Sequence, residues 1–257
     1  MPRYKLTIEY NGMPYYGWQR QADVISVQQA LEEAIQQFAQ HKVTTIAAGR
    51  TDAGVHALGQ VVHVDLQKTW TTDKIVEAAN GLLRFNEHPI AVTSVEQVDD
   101  EFDARFSAIQ RHYRYRLINR KAPLTVENER AWWIRFPLDV EAMHEAAQEL
   151  VGQYDFTTFR DTECQAKSPI RTIDKFSVYL AEGNAAIGGA GRTINFDISA
   201  RAFLHSQVRS MVGSLKMVGD GKWSKQDLID ARDAKDRKAC GVVAPPYGLY
   251  LVQVDYP

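Results

Sequence analysis

Residues 48–58 read Ala-Gly-Arg-Thr-Asp-Ala-Gly-Val-His-Ala-Leu and set an acid, Asp52, two positions from a base, Arg50. A carboxylate held on a loop can serve as a nucleophile that splits one difficult step into two easier ones. The segment is long for a connection between two strands, and long loops often carry function. From the residues alone a turn is the simpler account, with Asp52 accepting backbone hydrogen bonds and Gly54 taking a positive φ. A second stretch, residues 105–121, holds six Arg or Lys and no acid. Tyr113, Tyr115 and Leu117 would share one face of a strand there, and His112, Arg114 and Arg116 the other. Aromatics stack on bases and arginines hold phosphates. An anionic partner and a solvated charged face explain the run equally well. A third stretch, residues 202–218, carries His205, Arg209 and Lys216 in one stripe beside an apolar helical face. Snorkelling basic side chains account for it by themselves.

Other chemistry is missing from the pattern. Gly49 and Gly54 have the spacing of a phosphate loop, but Val55-His56 stand where Lys and a hydroxyl residue are needed. His144-Glu145 opens a zinc-protease helix signature that Gln148 breaks. Gly188-Gly189-Ala190-Gly191 falls between two strands and reads as a hairpin loop. Ser206, Ser210 and Ser214 lack the elbow of a serine hydrolase. We therefore expect no metal and no cofactor.

The elements that must position these residues follow from periodicity. Residues 3–10 alternate as a half-buried strand. Ser26 and Gln29 form a capping box for a helix whose apolar face runs through Val27, Ala30, Leu31, Ala34, Ile35 and Phe38. Strands are expected at 43–47, 60–66 and 90–98, with a helix at 73–83. In the second half, strands are expected at 111–119, 170–180, 193–200 and 248–255. Helices are expected after Asp139, stapled by Leu138 and Met143, at 202–218 and after Ser224. Both halves read β-α-β-β-α-β. The expected fold is α+β, with two ferredoxin-like halves, 1–104 and 105–257. Their mostly antiparallel central sheet carries helices on one side and a cleft on the other.

Composition bounds the class. A length of 257 residues is about 1.7 domains at roughly 150 residues each. Hydrophobic residues at 45% and charged residues at 24% fit a globular chain and exclude a disordered or fibrous one. Thirty Lys and Arg against 32 Asp and Glu give a net charge of −2, so any basic surface is local. Two cysteines, Cys164 and Cys240, make no disulfide framework and fit a reducing compartment. No secretory signal or membrane-spanning stretch is visible, so a cytoplasmic location is expected.

Taken together the motifs resemble the tRNA pseudouridine synthases of the bacterial A type, over nearly the whole chain. The resemblance rests on Tyr16-Gly17-Trp18-Gln19, on 49–56, on 102–108 with Tyr113-Arg114-Tyr115, and on 155–160 and 168–172. It extends through 203–213 and the closing Ala244-Pro245 and 248–251. Two departures stand out: 81–85 replaces the family's Leu-Pro turn after Asn80, and Arg201 replaces an Asn. The resemblance implies isomerisation of uridine to pseudouridine in the anticodon stem and loop of tRNA, at uridines 38, 39 and 40. It implies a homodimer that holds tRNA across a basic cleft, with no metal, membrane or organic cofactor. Asp52 would be the catalytic carboxylate, Tyr113 the aromatic on the flipped base, and Arg209 the partner of Asp52. Arg50 would take the place of the flipped nucleotide, while Arg105, Arg111, Arg114 and His205 would bind substrate. Whether Asp52 attacks the base or the sugar, or supports a glycal route, stays open. Two rivals remain at this point: an RNA-binding module without catalysis, and a metal-dependent hydrolase acting on RNA.

Overall fold

A computed structural model describes residues 1–181 and 191–257. The glycine-rich connection expected at 183–191 therefore lies, apart from Gly191, outside the described residues. The chain is mixed α and β, mostly antiparallel in its strand pairing. It divides into two compact units, Met1–Arg111 with Tyr250–Pro257, and His112–Leu249.

The first unit begins with β1 (Arg3–Tyr10), whose alternation puts Tyr4, Leu6, Ile8 and Tyr10 inside. Helix α1 (Val27–Ala39) follows, then the two-residue β2 (Ile46–Ala47) and β3 (His56–Asp65). Helix α2 (Thr72–Phe85) leads to β4 (Ile90–Val98). The strand order is β4-β1-β3, with β2 on the far edge of β3, and each of these neighbours is antiparallel. β10 (Leu249–Asp255) pairs parallel with the start of β3, Tyr250 opposite His56 and Leu251 opposite Ala57.

Local signals explain most of these elements. Ser26 caps α1, its hydroxyl accepting from the Gln29 N–H at 3.2 Å. The reciprocal half of the expected box is not made, because the Gln29 amide turns along the helix to Glu33 at 3.0 Å. β3 starts four residues before the expected position 60. Its first residues are held by β10, a partner nearly 200 residues away that no local pattern announces. The stretch that replaces the family's Leu-Pro turn is helical to Phe85, and the chain turns back through His88 N–H to Leu83 C=O at 2.9 Å. Asn80 then grips the edge strand with both ends of its amide. It donates to Val92 C=O at 2.9 Å and accepts from Val92 N–H at 2.7 Å, where the β1–β4 register slips by one residue.

The second unit contains β5 (Gln110–Asn119, from His112 on), β6 (Trp132–Ile134), α3 (Val140–Gln148) and β7 (Gly152–Asp155). It continues through β8 (Ile170–Leu180), β9 (Arg192–Ala200), α4 (Gln207–Gly219) and α5 (Lys225–Ala234). The strand order is β7-β8-β9-β5, with β6 parallel on β5. Its core is aromatic: Tyr115, Phe156, Phe159, Phe176 and Phe196 are all essentially buried, with Met143, Met211 and Leu215. Trp132 and Trp133 lie on β6. Trp132 stands edge-on to Tyr115, and the Trp133 indole donates to Arg120 C=O at 2.9 Å.

Helix α4 begins at Gln207, five residues after the expected start. Ser206 has φ 57°, a left-handed conformation that no helix continues through. The Gln207 side chain accepts from Leu204 N–H at 2.8 Å, so residues 204–207 form a turn of their own. Within α4, Gly213 lies against the backbone of 242–244; a Cβ there would collide with the Val242 carbonyl. Alanine normally favours a helix over glycine by about 1 kcal/mol. Here Gly213→Ala is expected to lose stability instead, by about 1–3 kcal/mol. Urea unfolding of the two proteins checks the sign.

Candidate active site

The 48–55 loop leaves β2 and enters β3 inside the first unit. Its backbone is fastened at Ala48, Gly49, Thr51, Asp52 and Val55. Ala48 N–H donates to Val61 C=O at 2.8 Å, and the Gln60 amide donates to Gly49 C=O at 2.8 Å. Thr51 is buried; its hydroxyl pairs with Tyr10 at 2.9 Å and its carbonyl accepts from Trp18 N–H at 3.0 Å. Burial pushes the Tyr10 phenol up to about 12, the bonds to Thr51 and Gln60 notwithstanding, so it stays a neutral donor or acceptor. Val55 N–H closes the turn on Asp52 C=O at 3.1 Å, and Gly54 takes φ 77°. Residues 52–55 therefore form a tight turn, and Asp52 rides on it half-buried.

Two glycines make this possible. A Cβ at Gly12 would collide with the Val55 carbonyl, and one at Gly17 would lie 2.9 Å from Thr51 O. Gly17 also has φ 88°, which favours glycine by itself. Gly12 N–H donates to His56 Nδ1 at 3.1 Å, which fixes the neutral imidazole with its proton on Nε2. The same ring stacks on Tyr250 with centroids 4.7 Å apart. Sequence reasoning saw Gly17 only as part of a signature and did not single out Gly12, Gln60 or Tyr10. Nothing at those positions names its partner in the loop.

Of the other candidates in this unit, Arg50 and Arg105 are exposed. Arg105 lies over the ring of Phe106, 5.4 Å from its centre, and Phe106 is 76% exposed. Arg111, expected to bind substrate, is buried, and its guanidinium donates to the carbonyls of Ala48, Arg105 and Ala108. These donors face inward because carbonyls just after β2 and just before β5 take them up.

The second unit holds Tyr113, Arg114, His205 and Arg209. Tyr113 is half-buried and stands edge-on to Phe203, centroids 5.2 Å apart. His205 is exposed, and its carbonyl accepts from Asp161 N–H at 3.0 Å. Arg209 is half-buried; its Nε donates to Ala244 C=O at 2.9 Å, and Ala244 N–H returns a bond to Arg209 C=O at 3.1 Å. That double tie fixes one edge of the guanidinium and so the direction of the other.

Arg114 is engaged within its own unit. It forms a two-pronged pair with Asp197 at 2.7 and 2.8 Å and donates to Tyr179 O–H at 3.1 Å; Tyr179 donates to Asp197 at 2.8 Å. Its neighbours on that face are also satisfied: His112 meets Ser199 at 2.8 Å and Arg116 meets Glu127 at 3.2 Å. The alternation of the basic strand is as expected. These side chains are partnered inside the protein, so the run is no ready-made phosphate ladder.

Among the described residues there is no group of three or more His, Cys, Asp or Glu that could hold a metal ion, and no helix long and apolar enough to cross a membrane. The two cysteines are free and half-buried.

A family model described as tRNA pseudouridine synthase matches residues 6–107 and 146–257. The chain belongs to the tRNA pseudouridine synthase family. It is an isomerase by that membership. It is 57% identical over 256 residues to a tRNA pseudouridine synthase A of Methylocella silvestris, covering 100% of this chain and 99% of that one. It is 55% identical to the protein of the same name from Brucella ovis, over 100% of this chain and 98% of the other, and equally to that of Brucella abortus. Both the Asp52 loop and the Arg209 helix fall inside the matched segments; Tyr113 falls between them.

Asp197 supplies a test of the inward-turned arginine. Burial raises its carboxyl, but the bonds from Arg114 and Tyr179 outweigh this and hold it below the usual carboxylate range. A group depressed by folding stabilises the native state above its unfolded value, near 3.9, and loses that contribution as pH falls through the folded one. Asp197→Asn should therefore be less stable than the parent at neutral pH. The gap should close as the pH drops below about 4. A gap independent of pH, in denaturant titrations, would mean the pair contributes nothing by charge.

Proposed function

We propose that the chain converts uridine to pseudouridine in the anticodon stem and loop of tRNA, at positions 38, 39 and 40, with Asp52 as the nucleophile on a flipped-out uridine. Family membership and the names of the relatives support the substrate class. The observation that carries the role of Asp52 is its setting: a half-buried carboxylate on a turn whose backbone is tied down on both sides. The reaction breaks the bond from C1′ to N1 and makes one from C1′ to C5. The proton lost from C5 balances the one gained at N1, so nothing is oxidised or hydrolysed.

Each remaining residue has a physical task in this reading. Extruding the base costs a few kcal/mol. Packing on Tyr113, which Phe203 holds edge-on, returns about 1–3 kcal/mol. Arg209 pairs with the Asp52 carboxylate and keeps it ionised in a site that must exclude water. The tie of Arg209 to Ala244 supports a fixed guanidinium. Arg50, exposed at the loop, fills the place the nucleotide leaves, and Arg105 and His205 hold the backbone. In this reading Arg111 and Arg114, which have partners within the chain, take no part in that duty. No cofactor takes part.

We further infer that each unit is a ferredoxin-like half, the β4-β1-β3-β2 order and antiparallel pairing of the first unit supporting this. The enzyme acts as a homodimer in the cytoplasm, with the tRNA held in a cleft.

Tritium release from C5-labelled uridine in unmodified tRNA transcripts tests the proposal. Asp52→Ala is expected to fold, bind tRNA and release no tritium. Release near the wild-type rate would remove Asp52 from the chemistry. Tyr113→Phe should keep binding and stacking; a large loss of rate would bring the hydroxyl itself into proton transfer at C5.

A further inference from the structure

Arg111 donates to backbone carbonyls of the chain's own loops, and the reaction as proposed gives it no task. Its Nε and one terminal nitrogen both donate to Ala48 C=O, at 3.2 and 2.7 Å. The same terminal nitrogen donates to Arg105 C=O at 2.7 Å, and the other to Ala108 C=O at 3.3 Å. The side chain is 8% exposed.

The three carbonyls belong to two different places. Ala48 is the first residue after β2, four before Asp52, and the loop that carries Asp52 starts there. Arg105 and Ala108 flank a turn that projects Phe106 and the Arg105 guanidinium into solvent. That turn is itself stiff, because the Asp103 carboxylate accepts from both Arg105 N–H and Phe106 N–H at 2.8 Å. An exposed aromatic under an arginine is the kind of tip that grips a single nucleotide by stacking and charge. Arg111 thus joins the base of that tip to the root of the Asp52 loop. A planar fork with five N–H groups fixes the separation of two carbonyl-bearing segments; an apolar side chain of the same volume would fill the space and fix nothing.

We propose that Arg111 is a positioning residue that sets the spacing between the Arg105–Phe106 tip and the Asp52 loop, so that RNA held at the tip is presented to the carboxylate at the right distance. The inference rests on the reading of Asp52 as the reacting group. A misplacement of about 1 Å at a reacting pair costs on the order of 100-fold in rate.

The test is Arg111→Lys, which keeps the charge and loses the fork, measured beside Asp52→Asn. Single-turnover tritium release at saturating enzyme reads the step after binding; titration with labelled tRNA reads affinity; thermal unfolding shows both proteins folded at the assay temperature. The expected result is a single-turnover rate lowered on the order of 10–100-fold with unchanged affinity. A role confined to stability would move the unfolding temperature and leave the bound-state rate alone, which overturns the proposal. So does a loss seen only in affinity. If Arg111→Lys does not fold, Arg111→Gln, with one amide to share among the carbonyls, takes its place. If neither folds, Arg111 is a folding requirement and the assignment falls. Wild-type turnover by Asp52→Asn would remove the underlying reading, and that outcome is distinct from an inert Asp52→Asn beside a fully active Arg111→Lys.

Discussion

Residues 12 and 17 are glycines because the backbone of the 48–55 loop passes where their side chains would be. That close approach is the constraint on which the candidate site rests. A loop of eight residues has no core of its own, and its conformational freedom costs about 1–2 kcal/mol per residue to remove. Here the ordering comes from outside the loop: Tyr10 on Thr51, Trp18 on the same residue's carbonyl, Gln60 on Gly49, and Arg111 on Ala48. Each anchor is itself part of β1, β3 or a segment packed on them. The position of Asp52 is therefore set by the sheet of the first unit rather than by the loop sequence. The local turn from Asp52 to Val55 shapes the last few bonds, and the glycines let the neighbouring chain come close enough to hold it.

The fate of the basic strand shows how charge counted along a sequence misleads. Residues 105–121 carry six cations and no acid, yet Asp197 and Glu127 lie opposite Arg114 and Arg116 once the strands pair. Arg111 and Arg120 spend their donors on carbonyls. The acids that neutralise the run lie from 11 to 83 residues away in sequence, so a window of 17 residues sees only one side of each pair. A half-buried, two-pronged Arg–carboxylate pair with a tyrosine on it serves geometry more than affinity for a partner. Arg105 and Lys121, at the ends of the run, remain exposed.

Elements whose signal is periodic and local were legible. β1, β4 and β8 stand at the expected residues, and α1, α3 and α5 start at their expected caps. The boundaries that moved did so for non-local reasons. β3 extends back to His56 because Tyr250 and Leu251 pair with it. α4 starts late because Ser206 takes a left-handed φ inside an otherwise helical pattern. The short β6 and β7 carry too few residues for a period to be read; each exists through its pairing with a longer strand. At the candidate site the residue types and motifs were legible, and the family followed from them. The residues that hold those groups in place were not, since a glycine, a glutamine or a buried tyrosine is informative only when the atom it meets is known.

This division has a mechanistic consequence for an isomerase that must break and remake a bond to one carbon without losing the fragment. The intermediate survives only if the groups around it do not have to rearrange to meet it. In the proposed reading Asp52 meets that requirement through rigidity supplied at its root and beneath it, and Arg209 through its tie to Ala244 within its own unit. Both anchors act on backbone carbonyls, which cannot rotate away as side chains do. A site built in this way tolerates exchange of exposed groups more readily than any change at Gly12, Gly17 or Gln60, whose loss would free the loop while leaving every reactive side chain present. Activity in this fold should therefore depend on residues that never touch the nucleotide, in proportion to how directly their hydrogen bonds reach the 48–55 backbone.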